Sequence, residues 1–400
     1  MKKLLLLFLV SGLLLVVSCT KKASEGEESI PVESTDDALF EQANGKLTPE
    51  LMWKFGRLGT DIQLSPDKTT LVFGVKKYKL DSNSGRNDIY AIPVSVGEPV
   101  CLTSDLGASS FNALWRPDGK KIGFITAGQI WEMDPDGKNK LQVTEIENGV
   151  NGFWYAPDMK HIAYISDVKL DETPTEIYPD LPQANVRIID DLMYRHWNHW
   201  HDYAYSHVFI ASYEDGKVSE DMDVMENERF DTPMLPWGGM EQINWSPLGD
   251  KLAYVCKKKN GKDYALSTNS EIYIFDLTNM STINMTENGF DGYDHDPVFS
   301  PDGNRIVWKS MEEDGFEADK ERIFMHDFTT NEFIDLSEGF DQSSSSFSWS
   351  EDGSKVYFIS GTKATYQIYN VDINTKKITQ ITTGVHNYQS YVIAENELVA

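Results

Sequence analysis

The sequence predicts an all-β protein: a β-propeller of about seven four-stranded blades, the last incomplete. Three observations carry this. One phrase occurs six times: an aromatic residue or Leu, a Ser/Pro/Asp/Gly turn, then an alternating apolar run. A second, hairpin-like phrase follows the first. The copies recur at a period near 50 residues, the spacing of a unit whose sheet cannot bury both faces without neighbours.

The copies begin LSPDKTTLVFGV at Leu64, WRPDGKKIGFIT at Trp115 and YAPDMKHIAYIS at Tyr155. They continue with WSPLGDKLAYVC at Trp245, FSPDGNRIVWKS at Phe299 and WSEDGSKVYFIS at Trp349. Pro-Asp-Gly presets a tight turn, so each phrase supplies strands a and b. Runs such as QIWEMDPDGKNKLQVT and EIYIFDLTNMSTINMT supply strands c and d. The turn positions Pro66, Pro117, Pro157, Pro247, Pro301 and Glu351 are separated by 51, 40, 90, 54 and 50 residues. Regular spacing over six copies disfavours the alternative, a pair of β-sandwiches. SYVIAENELVA (390–400) reads as the opening of a seventh unit, and a chain stopping inside a strand-like run reads as truncated. The polar run QSSSSFS (342–348) reads as a low-complexity loop.

The long interval is one blade with an insertion near 168–205 between strands b and c. In an antiparallel blade the b–c and d–a connections share one rim, so the insertion joins the d–a loops there. Rim loops on a rigid scaffold are where binding groups usually sit. The segment 171–207 holds four of the eight His, interleaved with Trp and Tyr. His196, His199 and His201 do not match a familiar zinc spacing, so no metal site is expected. A packed aromatic plug and a substrate-contacting rim both remain open. In the second reading Arg195 forks onto a carboxylate or carbonyl, Asp190, Asp191 and Asp202 hold an amine, and Trp197 and Trp200 wall a pocket. The candidate substrate-binding residues are Tyr194, Arg195, His196, Trp197, Trp200 and Asp202. The loop 231–247 stiffens the same rim with three Pro and a Gly pair. DGYDHD (291–296) reads as a solvated loop leading into a strand.

Residues 1–18 read as a signal peptide: Lys2 and Lys3, then an apolar stretch too short for a comfortable membrane span. Val16-Val17-Ser18-Cys19 resembles a lipobox, with Cys19 lipidated. Residues 19–46 read as a flexible tether and 47–400 as the propeller. The expected location is the bacterial cell envelope, periplasmic or outer-membrane associated, with the membrane reached through the lipid anchor alone. Cys101 and Cys256 are left as free thiols or a bridge. The net charge of −27 repels phosphate, so nucleic acid is excluded as a partner. No G-x-S-x-G, P-loop, G-x-G-x-x-G or C-x-x-C occurs, so no cofactor and no complete catalytic apparatus is expected within these residues.

The blades resemble TolB-like/WD40-like propeller repeats. LTPELMWKFGRLG (47–59), VRIIDDLMYRHWNHW (186–200) and DTPMLPWGG (231–239) together resemble the N-terminal propeller of prolyl oligopeptidase-family serine peptidases. The branch is the dipeptidyl peptidase V/acylaminoacyl-peptidase one, in its bacterial lipoprotein or secreted form. Asn198 stands where that branch's pattern has Asp, which puts a polar role at 198 in doubt. The resemblance implies a substrate-gating propeller of a serine exopeptidase that releases dipeptides or N-terminal residues from peptides. It also implies a C-terminal α/β-hydrolase domain carrying Ser, Asp and His, none of which maps onto this chain. The alternative is a non-catalytic propeller lipoprotein that binds a protein, peptide or glycan in the envelope.

Overall fold

A computed structural model describes residues 45–400, apart from 60, 237, 395 and 396. The residues read as a signal peptide, and Cys19 with them, lie outside the described residues. Six antiparallel blades follow one another, each ordered a-b-c-d. In blade 1 the strands are Gln63–Leu64, Thr70–Lys79, Ser84–Pro93 and Val100–Cys101, with Arg57–Leu58 as an extra pairing on strand b. Blade 2 uses Ser110–Trp115, Ile122–Thr126, Gln129–Met133 and Leu141–Gln142. Blade 3 uses Gly152–Tyr155, His161–Lys169, Ala204–Glu214 and Lys217–Asp223. Blade 4 uses Ile243–Trp245, Lys251–Cys256, Glu271–Asp276 and Ser281–Asn284. Blade 5 uses Asp294–Phe299, Arg305–Ser310, Arg322–Asp327 and Glu332–Asp335. Blade 6 uses Ser344–Trp349, Lys355–Thr362, Thr365–Asp372 and Ile378–Gln380.

The seventh unit is a two-stranded hairpin, Val392–Ala394 with Glu397–Val399, so the described residues hold six complete blades and not about seven. The apolar clusters show why the ring closes. Each lies between two successive sheets. Val72 and Ile89 of blade 1 pack with Ile122 and Phe124 of blade 2. Ile125 and Ile130 on the other face of blade 2 meet Phe153 and Tyr164 of blade 3. The series runs on through blades 3–4, 4–5 and 5–6. The hairpin then packs Tyr391 against Ile359 and Ile368 of blade 6, and Ala394 and Val399 against Leu71 and Phe73 of blade 1. A sheet covered on both faces needs strands that are apolar throughout, and Ile122–Thr126 is buried at every position.

Side chains stitch neighbouring inner strands together. The Asn112 carbonyl oxygen accepts from Phe153 N–H at 2.8 Å, and that of Asn244 accepts from Phe299 N–H at 3.0 Å. The a–b turns are filled by their own polar groups. Ser300 Oγ donates to Asp302 at 2.5 Å and accepts from Arg305 N–H at 2.9 Å; Ser350 and Asp352 repeat the pattern. The residue after the turn Asp takes a left-handed conformation, which Gly303 and Gly353 adopt without a steric penalty.

Two loops of the sequence reading fall differently. Residues 344–349 are the inner strand of blade 6, with Ser344 fully buried, because alternating small side chains fit the crowded axis. DGYDHD enters strand a of blade 5 at Asp294, whose carboxylate is buried beneath Trp308 and accepts its indole N–H at 3.0 Å. Cys101 and Cys256 are free thiols in blades 1 and 4. No helix among the described residues is long and apolar enough to cross a membrane.

Candidate functional site

Strands b and c of blade 3 are joined by residues 170–203. The backbone N–H groups of Leu170 and Asp171 both donate to Tyr203 O, at 3.1 and 3.2 Å, closing the base of the excursion. A short helix, Pro174–Ile177, opens it, and the Glu176 carboxylate accepts the Thr173 N–H at 2.7 Å. A small hairpin follows, pairing Arg195–His196 with His199–Trp200. Trp197 occupies its turn with φ near 49°.

The excursion leans over the connection between blades 3 and 4 and the b–c loop of blade 4. Between them lies a cavity of about 500 Å³. Of the six sequence candidates, Tyr194, Arg195, His196, Trp200 and Asp202 line it. Trp197 stands outside the lining at the hairpin tip, 66% exposed, with its ring 5.9 Å from that of His196. Two guanidinium groups lie over the indole of Trp200, Arg187 at 5.0 Å and Arg195 at 5.1 Å, and the indole stacks obliquely on Tyr194. Arg187 also donates to His201 O at 3.1 Å.

Asp171 anchors the floor. Its carboxylate accepts from Arg229 Nε and from Tyr205 OH, both at 2.7 Å. Burial works against charge on Asp171, but these donors outweigh it and hold its pKa below the usual carboxylate range. Asp231 is the opposite case. Burial pushes its carboxyl up, against the backbone N–H of Ser206 at 2.9 Å and the nearby imidazoles of His201 and His207. It has no ion-pair partner among the described residues. A second chamber of about 370 Å³ opens beside the first and shares Asp202, Ala204, Asp231 and Leu235 with it.

On the same rim, blade 5 carries a closed charge cycle. His295 approaches Asp296 at 3.2 Å and Glu321 at 3.5 Å, and Lys309 contacts the same two carboxylates at 2.8 and 3.3 Å. Burial disfavours the imidazolium, yet the two carboxylates raise the His295 pKa above its ordinary value. Among the described residues no group of three or more His, Cys, Asp or Glu is placed to hold a metal ion.

The sequence reading missed Asp171, Arg187, Arg229, Asp231, Lys259 and Tyr264, which also line the first chamber. Asp231 heads the DTPMLPWGG segment, and that placement was the available signal. Lys259 and Tyr264 come from a b–c loop with no distinguishing pattern.

A family model described as the TolB beta propeller domain matches residues 239–399. Dipeptidyl-peptidase 5 of Porphyromonas gingivalis is 37% identical over 358 residues, covering 88% of this chain and 52% of that protein. Dipeptidyl-peptidase 5 of Porphyromonas endodontalis is 34% identical, covering 88% and 51%. The chain is similar in sequence to dipeptidyl-peptidase 5. It spans about half the length of these relatives. Among solved structures, the acylaminoacyl peptidase of Pyrococcus horikoshii superposes with a TM-score of 0.63 at 17% identity, over 86% of this chain and 49% of that one. The β-propeller domain of the Trilobed protease from Pyrococcus furiosus does so at 0.54 and 17%, over 86% and 88%. The structural likenesses establish the propeller fold.

Proposed function

We propose that this chain is the substrate-gating propeller of a serine exopeptidase that releases dipeptides or N-terminal residues from peptides. The observation that carries the reading is the rim cavity. It combines a planar cation on an aromatic wall, Arg195 on Trp200, with carboxylates at Asp202 and Asp231. A peptide backbone end presents the complementary groups, an ammonium and carbonyl oxygens. Tyr194, His196 and Trp200 supply apolar contact area, and Trp197 at the hairpin tip guards the approach. The closed ring of blades excludes folded proteins. Acyl-enzyme chemistry belongs to an α/β-hydrolase domain outside these 400 residues, with its own Ser, Asp and His. The location that goes with this reading is the bacterial cell envelope, with the protein held by lipid on Cys19.

Reading the gene beyond codon 400 tests the proposal. It requires G-x-S-x-G within about 200 residues. A stop codon directly after a completed seventh blade would instead make the chain a non-catalytic binding lipoprotein. The 400-residue chain by itself is expected to leave dipeptidyl chromogenic substrates intact; turnover abolished by a serine-directed inhibitor would refute the assignment of roles.

A further inference from the structure

The charge of this chain is unevenly placed. Over the whole sequence 63 acidic residues stand against 36 basic ones, for a net charge of −27. Residues 46–90 invert the balance, with eight Lys and Arg against five Asp and Glu. Among the described residues, the ion pairs of this stretch join Arg86 to Asp88 at 2.6 Å and Lys68 to Glu351. Lys54, Arg57, Lys76, Lys77 and Lys79 enter none, in a protein rich in carboxylates. The strand register even sets like charges opposite each other, Arg57 across from Lys76 and Lys77 across from Arg86. Such pairs are destabilising unless an anion outside the fold meets them.

The same corner of blade 1 carries apolar surface. The helix Pro49–Lys54 buries Leu51 and leaves Met52 and Trp53 exposed. Leu47 and Leu58 flank that helix in sequence, Leu80 follows strand b, and all three are exposed. The rings among them carry cations. The Arg57 guanidinium lies 4.9 Å from the Trp53 ring and 4.7 Å from that of Tyr78, and the two rings meet edge to face at 5.1 Å. The Lys76 ammonium lies 5.3 Å from the Tyr78 ring. Lys and Arg stems cover apolar surface while their charged heads reach outward. Exposed Trp and Leu among such heads are what a lipid headgroup boundary accepts: the apolar groups enter it and the cations meet the phosphates. A nucleic acid backbone would use the cations and leave the aliphatic side chains in water.

Position in the chain points to the same occupant. The patch begins at Leu47, directly after the stretch read as a tether from Cys19. A flexible tether of that length spans on the order of 30 Å, so a lipid on Cys19 keeps the patch within reach of its own bilayer. The acidic remainder of the propeller is repelled by an anionic surface, but its field fades within about 8 Å at physiological ionic strength. The nearest charges therefore govern contact, and the acidic faces turn away. We infer that this corner of blade 1 is a docking surface for an anionic lipid bilayer, with Trp53, Met52 and the exposed Leu side chains in the headgroup boundary and the five unpaired cations on lipid phosphates. The patch shares no residue with the rim cavity, so the inference is independent of the peptidase reading.

Flotation with lipid vesicles tests this. Residues 20–400 are used, so that neither the signal segment nor a lipid on Cys19 contributes and every described residue is kept. Binding to vesicles of phosphatidylethanolamine with phosphatidylglycerol should exceed binding to phosphatidylcholine vesicles by at least about tenfold at low salt. It should fall away toward about 1 M salt, where charges are screened within about 3 Å. Lys76→Glu, Lys77→Glu and Lys79→Glu combined should abolish it, and Trp53→Ala should weaken it several-fold. Lys120→Glu with Lys138→Glu, at two exposed cations of blade 2, should leave it unchanged. Circular dichroism checks the fold of each variant. If the triple variant misfolds, lipid composition, salt and Trp53→Ala still decide. Equal binding to both kinds of vesicle, or binding that survives the triple reversal, would overturn the docking surface. Absence of binding to either vesicle would overturn it as well and assign the unpaired cations to an acidic protein partner. Neither result bears on the peptidase reading.

Discussion

The two rims of the propeller are built from the same blades and behave oppositely. On the rim of the a–b and c–d turns, polar groups are used up locally. Ser300 with Asp302, and Ser350 with Asp352, close their turns with side-chain and backbone hydrogen bonds. Arg116 in the blade 2 turn donates to Asp118 twice at 2.9 Å and reaches Tyr213 and Asp215 in blade 3 at 3.2 and 3.0 Å. On the other rim, around blades 3 and 4, Arg195 and Asp231 lack ionic partners among the described residues, and Trp200 is partly exposed. The repeat needs its turns satisfied in order to fold. The excursion folds without satisfying everything it carries, and what it leaves over is the chemistry of the proposed binding site. Buried polar atoms without a hydrogen-bond partner also occur in the blades, among them the indole nitrogens of Trp115, Trp131 and Trp245, so the contrast between the rims lies in their ionic groups.

The largest effect should come from breaking the satisfied rim. Arg116→Ala leaves the buried Glu132 carboxylate without its nearby cation, which stands 3.7 Å away. Glu132 keeps the hydroxyl of Tyr155 at 2.8 Å and that of Tyr213. Removing one partner of a buried charge network costs about 3–5 kcal/mol. Guanidinium unfolding should show that loss; a change below about 1 kcal/mol would mean that the network is ornament and the contrast between rims false.

Next in size is a test of whether pairing alone separates the rims. Asp294 lies at the binding-rim end of blade 5 and is fully hydrogen-bonded, yet burial pushes its carboxyl up to about 7, against the opposing donors Ser310, Trp308 and Thr286. The folded state therefore holds this proton more tightly than the unfolded chain. The stabilisation is complete below the unfolded carboxyl pKa near 4 and is lost as pH rises through about 7. The unfolding free energy should fall from pH 5 to pH 8, by an amount on the order of a few kcal/mol. His295 and His207, both raised, add slope of the same sign. Asp294→Asn keeps an acceptor for the Trp308 indole and should remove most of the slope; an unchanged slope would assign it to the histidines.

What could be read from the sequence follows this contrast. The turn phrases carry their own hydrogen-bonding logic within a few residues, so blade order, the interruption in blade 3 and the rim on which its loops gather were all legible. Ser344 and Asp294 were misread because their burial depends on a neighbouring strand and on Trp308, which no local pattern reveals. The cavity was half legible. Arg195, Trp200 and Asp202 stand in one aromatic-rich segment. Asp231 and Lys259 reach the same space from separate connections, and only closure of the ring brings them there.

A single turn gives a smaller effect. Ser300→Ala removes a donor to Asp302 and an acceptor for Arg305 N–H, and should cost about 1 kcal/mol in the same unfolding assay. The equivalent change at Ser350 should add to it, since the turns belong to different blades and share none of these hydrogen bonds. Strong non-additivity would show that the rim is one coupled structure and not a set of self-contained turns.

The smallest effect on stability should come from the tip of the excursion. Trp197 is 66% exposed on the turn of a two-residue-per-strand hairpin, so Trp197→Ala should change unfolding free energy by no more than about 0.5 kcal/mol. In the proposed full-length peptidase the same change should raise KM more than it lowers kcat, because the ring stands at the hairpin tip outside the cavity lining. Asp202→Ala, inside the lining, should raise KM further. A large stability loss at Trp197 with unchanged kinetics would make the hairpin a packing element. The open groups at Arg195 and Asp231 would then need a structural explanation, and the two rims would differ in degree only.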